Sequence, residues 1–283
     1  MTKARLLRRR AHRSHGLRLL LVIPAAVGLA VALPLLADES RSQGGADLAR
    51  SARDAASASL VPRPVKPAFV PGKPTALRRS SYIARWAVVR GPATARARPR
   101  THARVVGHIE TQTPEGTSNI VLVLGSHADR TGVLWIRVRL AALGQPGTGW
   151  VSRSALGGYG IVTTHLIVDV HSLRARLFRN GRAIFRADVG VGKAAWPTPR
   201  GEFYIRNKLT DFASPMYGPV AFGTSARSSV LTDWPAGGYV GIHGTDEPEI
   251  LPGRVSHGCI RMRNADILRL AKLMPVGTPL TIR

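Results

Sequence analysis

The sequence predicts a mainly β protein: two β-domains behind a linker and one N-terminal membrane helix. Three observations carry that expectation. An uncharged run, residues 19–37, follows a leader that is basic and has no acid. A stretch rich in Ala, Ser, Arg and Pro then fills residues 38–80. From Tyr82 onward, short runs rich in Val, Ile and Trp alternate with Gly, Pro, Asn and Asp, the pattern of strands and turns.

Residues 1–18 carry Lys3, Arg5, Arg8, Arg9, Arg10, Arg13 and Arg18. Such a flank stays cytoplasmic by the positive-inside rule. The 19 residues that follow are long enough to cross a bilayer as a helix, which needs roughly 20. A cleaved signal has a shorter apolar core and a small-x-small site. Here the run is longer, and "LLA" before Asp38 has Leu where a small residue belongs. The reading is an uncleaved anchor, with a secreted product as the alternative. Everything beyond residue 37 is expected outside the cell, in a membrane protein that faces the wall.

The formal net charge is +25, with 35 Arg against 6 Lys. It divides as +7 over residues 1–37, +11 over 38–159 and +7 over 160–283. A charge spread along the chain does not make a nucleic-acid stripe, and no nucleic-acid-binding motif accompanies it. Nucleic acid is therefore not an expected partner. Anionic wall polymers or lipid headgroups are, through the same nonspecific attraction.

The linker, residues 38–80, offers few apolar side chains to bury, so it is expected to be disordered. A weak helix could form near residues 47–57. Pro62, Pro64, Pro67, Pro71 and Pro74 stiffen its second half and extend it by about 3 Å per residue. Its expected role is reach.

Residues 81–158 read as a small β-domain. "WAVVRG", "RVVGHIE", "SNIVLVLGS", "LWIRVRL" and "GTGWVSRSAL" are its strands. In "LWIRVRL" the alternation sets Leu134, Ile136 and Val138 on one face and Trp135, Arg137 and Arg139 on the other. The ending "GTGWVSRSAL" resembles that of bacterial SH3-like domains, which implies a small barrel. A wall-binding role and a purely packing role are both open for it.

Residues 160–283 read as a second, mainly antiparallel β-domain with one helix. "HLIVDV" is a strand. Asn180-Gly181 joins two alternating runs and suits a type I′ hairpin, which needs two positive-φ residues. "GGYVGIHGT" is a glycine-flanked strand ending at His243. "NADILRLAKLM" has a helical apolar face, Asn264 as a cap and Pro275 as a stop. "TPLTIR" closes as a strand.

The one cysteine, Cys259, sits in "GRVSHGCIRM". A thiol attacks as thiolate and needs a base, because an unperturbed cysteine is mostly protonated at pH 7. His243 and His257 are the candidate bases. Gly244 and Gly258 allow close backbone approach to a substrate. Backbone amides near Gly258 could bind an oxyanion, and Arg261 a carboxylate. Two other readings stay open on chemistry alone. A lone buried cysteine is often an inert hydrophobe. His243, His257 and Cys259, with Asp246, Glu247 or Glu249, could also hold zinc. A single thiol cannot form an internal disulfide outside the cell, which fits a catalytic and an inert residue equally.

"IHGT" at residues 242–245 and "SHGCIRM" at residues 256–262 resemble the signature of the L,D-transpeptidase (YkuD-like) catalytic domain. The opening strands, the hairpin and the loop containing "TPRG" resemble it too, so the likeness covers residues 161–283. It implies a YkuD-like β-sandwich and an enzyme with no metal and no cofactor. Its substrates would be peptidoglycan stem peptides, joined in 3-3 cross-links through a cysteine thioester. Cys259 would be the nucleophile, His243 the base, and the Gly244 carbonyl the orienter of its imidazole. His257, Gly258 and Cys259 would frame the oxyanion, and Ser256 and Arg261 would hold substrate. Asn often stands in the family where Arg261 stands here, which leaves the acceptor side open. The short interval from His243 to Ser256 implies a small lid. Tyr239, Trp196 and Trp234 are groove candidates or packing residues. The same acyl-enzyme could pass to water or to a protein amine. A non-enzymatic, tethered wall-binding protein is the remaining alternative.

Overall fold

The computed structural model describes residues 75–76, 82–141, 147–210, 214–231 and 237–283. The expected tail, anchor, linker helix and Trp234 lie outside the described residues. Among those described, no helix is long and apolar enough to cross a membrane.

The first sheet holds β1 (Thr75–Ala76), β2 (Ala84–Val89), β3 (Ala93–Arg96), β4 (Val105–Ile109), β5 (Ile120–Ala128), β6 (Leu134–Leu140), β7 (Gly147–Ser152) and β8 (Leu156–Val162). Its order is β4-β3-β7-β6-β5-β2-β8, with β1 beside β5. Every pairing in it is antiparallel. Val121, Val123, Ile136, Val138 and Val151 form its core. Ile136 and Val138 of β6 enter this core from one face, as the alternation expects, while burial at the strand start follows other partners. Leu134 is exposed at the strand start, while Trp135 is buried and donates from Nε1 to Asp129 Oδ2 at 2.9 Å. A satisfied indole can be buried where a bare aliphatic at a strand end need not be. The expected boundary near 158–160 falls inside β8, which stays paired to β2 through Val162. Glycine-rich "LGGYGIV" forms a strand because Trp86 lies across it: a Cβ at Gly160 would collide with the indole.

The second sheet holds β9 (Thr164–Asp169), β10 (Arg174–Arg179), β11 (Arg182–Asp188), β12 (Gly190–Gly192), β13 (Gly201–Leu209), β14 (Ala221–Arg227), β15 (Tyr239–His243), β16 (Gly253–Ser256), β17 (Ile260–Arg261) and β18 (Pro279–Ile282). Its order is β11-β10-β9-β18-β13-β14-β15-β17-β12-β16. Long β13 serves both halves. Residues 201–204 pair with β18, and its later residues pair with β14. The halves make a β-sandwich around one core, which includes Leu166, Leu177, Phe203, Phe222, Ile242 and Ile260. Helix α1 (Asn264–Leu273) adds Ile267 and Leu270 to it. The fold is thus mainly β with one α-helix among the described residues, as the sequence predicts.

The hairpin forms as expected. Asn180 and Gly181 have φ of 49° and 80°, and Arg179 pairs with Arg182 across them. The sheet is mainly antiparallel as expected, with three parallel pairings, β9/β18, β12/β16 and β15/β17. One expectation needs correction: Asn264 does not cap α1, and Arg263 occupies that position without a side-chain bond. The Asn264 carboxamide is engaged elsewhere, with the Thr245 amide.

Both sheets belong to one compact unit of the chain. A third cluster joins them: Ala84, Ile120, Leu122 and Val162 from the first meet Tyr204 from the second. Tyr204 donates to the Ile120 carbonyl at 2.9 Å. Beside it Arg206, almost fully buried, donates to both oxygens of Glu115 at 3.0 and 3.1 Å.

Candidate active site

The site is built where β15 and β17 run parallel. Ile242 pairs with Ile260 and His243 with Arg261. Paired residues share a face, and faces alternate along a strand. Ile242 and Ile260 are fully buried in the core. Gly241, His243, Cys259 and Arg261 therefore share the opposite face. The Gly241 amide donates to Cys259 Sγ at 3.4 Å. A Cβ at Gly241 would stand 3.8 Å from His243 Cδ2 and 3.9 Å from Cys259 Sγ. Imidazole and thiol thus flank the space left by the missing side chain.

His243 Nδ1 lies 2.7 Å from the Gly244 carbonyl oxygen. A carbonyl only accepts, so Nδ1 carries the proton and Nε2 is the basic nitrogen. This is the expected orienter. Burial pulls the imidazole down to about 4, the Gly244 bond opposes that, and the Arg261 charge adds to it. Burial also pushes the Cys259 thiol up, against the Gly241 amide and Arg261. Burial thus favours the neutral form of each group. Tyr217, in a short helical turn at Pro215–Tyr217, packs edge-on against His243 with ring centroids 4.7 Å apart. Burial and the facing Cys259 both raise its phenol.

The loop before Cys259 is stapled from within. Ser256 is 1% exposed. Its hydroxyl donates to the Cys259 carbonyl at 2.6 Å and accepts from the Gly258 amide at 3.1 Å. Thr198 donates to the Gly258 carbonyl at 2.9 Å and accepts from the Gly192 amide at 2.8 Å. Gly258 adopts φ 116°, a conformation that L side chains rarely take. Ser256 thus braces the nucleophile loop, and its hydroxyl keeps one lone pair beyond these two bonds. The Gly258 amide is engaged, so it is not an oxyanion donor in this geometry.

The other expected residues surround a cleft of about 200 Å³ that includes Tyr217, Tyr239, His243, Ser256, His257, Cys259 and Arg261. His257 is exposed and packs on Trp196, with ring centroids 4.3 Å apart. Arg261 Nη1 donates to Glu247 Oε2 at 3.0 Å. Its Nε is buried without a hydrogen-bond partner among the described residues. Tyr239 sits beneath Arg206, whose guanidinium carbon is 3.8 Å from the ring centroid. No group of three or more His, Cys, Asp or Glu side chains gathers where it could hold a metal among the described residues.

Residues 163–282 match the family model of the YkuD L,D-transpeptidase catalytic domain. This segment is similar over its whole length to an L,D-transpeptidase catalytic domain. A Bacillus subtilis protein that carries the name L,D-transpeptidase YkuD is 35% identical over 118 residues, 42% of this chain and 65% of that protein. A Bacillus licheniformis protein of the same name is 34% identical over 117 residues, 41% and 64% of the two chains. The chain thus spans a little under two thirds of the length of these relatives. A mutant of the Enterococcus faecium L,D-transpeptidase is 26% identical, covering 42% of this chain and 49% of that one with a TM-score of 0.35. An L,D-transpeptidase from Mycobacterium smegmatis is 16% identical, covering 70% and 93% with a TM-score of 0.36.

Within the matched segment, four residues escape sequence reasoning. Thr198 lies in the "TPRG" stretch, which marks it, but its reach to Gly258 spans 60 residues of chain. Gly241 reads as a strand glycine until β17 is set beside it. Tyr217 stands in no motif. Asn264 accepts from the Thr245 amide at 3.0 Å and so braces the turn that follows His243. A Cβ at Gly244 would collide with that carboxamide oxygen, so the glycine is needed for packing as well as approach.

Proposed function

We propose that this protein is a peptidoglycan L,D-transpeptidase that forms 3-3 cross-links through a thioester on Cys259. The observation that carries the reading is the single face shared by Gly241, His243 and Cys259 inside a segment similar to an L,D-transpeptidase catalytic domain. His243 Nε2 removes the thiol proton as sulfur attacks the carbonyl between the stem's third residue, a diamino acid, and its terminal D-alanine. The developing negative oxygen lies near Arg261 and the backbone at Cys259, where fixed donors and charge act most strongly because water is excluded. His243 then protonates the leaving nitrogen, the C–N bond breaks, and D-alanine departs. A thioester remains. An amine of a second stem attacks it, His243 takes the amine proton, the C–S bond breaks, and the thiol is restored.

An imidazole held down to about 4 is unprotonated at neutral pH, so Nε2 is open to receive the thiol proton during attack. Sulfur gains its charge during attack rather than before it. The Gly241 amide, directed at Sγ, stabilises that charge as it develops and again as the thiolate leaves.

The basic leader and apolar run would anchor the chain in the cell membrane, and the linker would carry both β-domains toward the wall. The SH3-like domain and the spread positive charge would hold it against anionic wall polymers. Masses of the products from a disaccharide-tetrapeptide test the function. A cross-linked dimer less one D-alanine is expected. Tripeptide alone would make water the acceptor and overturn the cross-linking assignment.

A further inference from the structure

A second cleft, of about 560 Å³, opens between the two β-domains and contains Tyr239, which also borders the catalytic cleft. It is the larger of the two, against about 200 Å³ around Cys259. Its lining brings together Arg139 from the first domain and Arg206 and Arg227 from the second, with Glu110 in the lining and Glu115 paired to Arg206. None of the three guanidiniums is without a partner. Arg206 is held by Glu115, and Arg227 gives two N–H groups to the Gly237 carbonyl at 2.9 and 2.8 Å. Both stack over Tyr239, at 3.8 and 5.0 Å from the ring centroid.

Asn119 supplies a complementary group. Its Nδ2 donates to the Glu110 carbonyl at 2.8 Å, while its buried Oδ1 has no hydrogen-bond partner among the described residues. A ligand with carboxylates for the guanidiniums and an N–H for Asn119 meets both demands. A stem peptide has that chemistry. Simple anions lack the N–H, and neutral sugars lack the charge.

Position decides which stem. Tyr239 precedes Gly241 by two strand residues, about 7 Å. Gly241 is hydrogen-bonded to the thiol. The side chain of a basic diamino acid covers a similar distance when extended. A stem lying in the interdomain cleft could therefore present its amine at Cys259 while its carboxylates stay on the arginines. The cleft around Cys259 is left for the donor.

We infer that the interdomain cleft is the binding subsite for the carboxylate-bearing acceptor stem, with Arg139 of the first β-domain as a specificity residue. The inference rests on the transpeptidase reading. It makes the first β-domain part of the substrate site.

The test uses the full chain in two forms. With Cys259→Ala, a stem tripeptide ending in the diamino acid is titrated by calorimetry; it lacks the D-alanine of a donor. Arg139→Glu is expected to weaken binding about tenfold or more, the loss of one charge-assisted contact. Arg139→Lys, which keeps the charge, is expected to bind nearly as the parent does. With Cys259 intact, Arg139→Glu is expected to raise the acceptor KM by a similar factor and to leave first-turnover release of D-alanine unchanged. Absence of tripeptide binding, or binding indifferent to Arg139→Glu, would overturn the subsite. So would D-alanine release that falls in step with cross-linking. If the parent releases no D-alanine yet binds tripeptide through Arg139, the transpeptidase reading fails and the peptide site stands.

Discussion

The Gly241 amide and the Cys259 sulfur meet at 3.4 Å, across two parallel strands that bring together residues 18 positions apart. This contact fixes the nucleophile in the sheet and leaves a gap beside it that only glycine keeps open.

Gly241→Ala tests that gap. The new methyl meets its three nearest atoms at 3.6–3.9 Å, ordinary van der Waals contact, so the fold is expected to persist. It would stand between imidazole and thiol. A displacement near 1 Å can cost about 10²-fold, and a loss of that order in first-turnover D-alanine release is expected. Unchanged release would show that the proton does not pass across this space.

The second prediction concerns pH. His243 is held down to about 4 by burial, below its unfolded value of about 6.5. The acid limb of the acylation rate is expected near pH 4, read from a pH profile of D-alanine release. The same shift bears on stability. Between these two values the unfolded chain binds the proton and the folded chain does not, so stability falls as pH drops through that window. His243→Gln should flatten this part of a urea-midpoint profile. An acid limb near 6.5 would mean that the imidazole is solvated.

Ser256→Ala separates positioning from substrate contact. It removes the acceptor of the Gly258 amide and the donor to the Cys259 carbonyl, both buried. A stability loss of about 1–3 kcal/mol is expected by chemical denaturation. The KM for donor should stay near the parent value while kcat falls, because the thiol is displaced and the binding surface is not. A rise in KM alone would return Ser256 to the substrate-contact role that the sequence suggested.

Glu115→Ala tests the joint between domains. It strands the Arg206 guanidinium, whose side chain is 2% exposed, without its carboxylate. Breaking one side of a buried pair costs about 3–5 kcal/mol. A lowered urea midpoint is expected, together with looser Tyr239 at the cleft. A midpoint within a few tenths of a molar of the parent would show that Tyr204 and its apolar neighbours hold the joint alone.

The sequence was most legible where local chemistry decides. Asn180-Gly181 specified its turn, and the runs later found as β2, β5, β6 and β15 carried enough Val, Ile and Leu to be read. Cys259, His243 and Gly244 were legible because a paired motif names them. Strands β8, β14 and β16 were hidden by glycine, serine and arginine. Their state comes from neighbours such as Trp86, which no local window contains. The role of Asn264 was misread for a related reason. Its common local use is as a helix cap, and it is claimed instead by the Thr245 amide, a partner that only the fold supplies.

The most direct measurement is the intact mass of the full chain after mixing with a disaccharide-tetrapeptide. The account predicts an adduct equal to the substrate less D-alanine, mapped to Cys259 and absent from Cys259→Ala. No adduct, or one that survives that substitution, would contradict the thiol's assigned role.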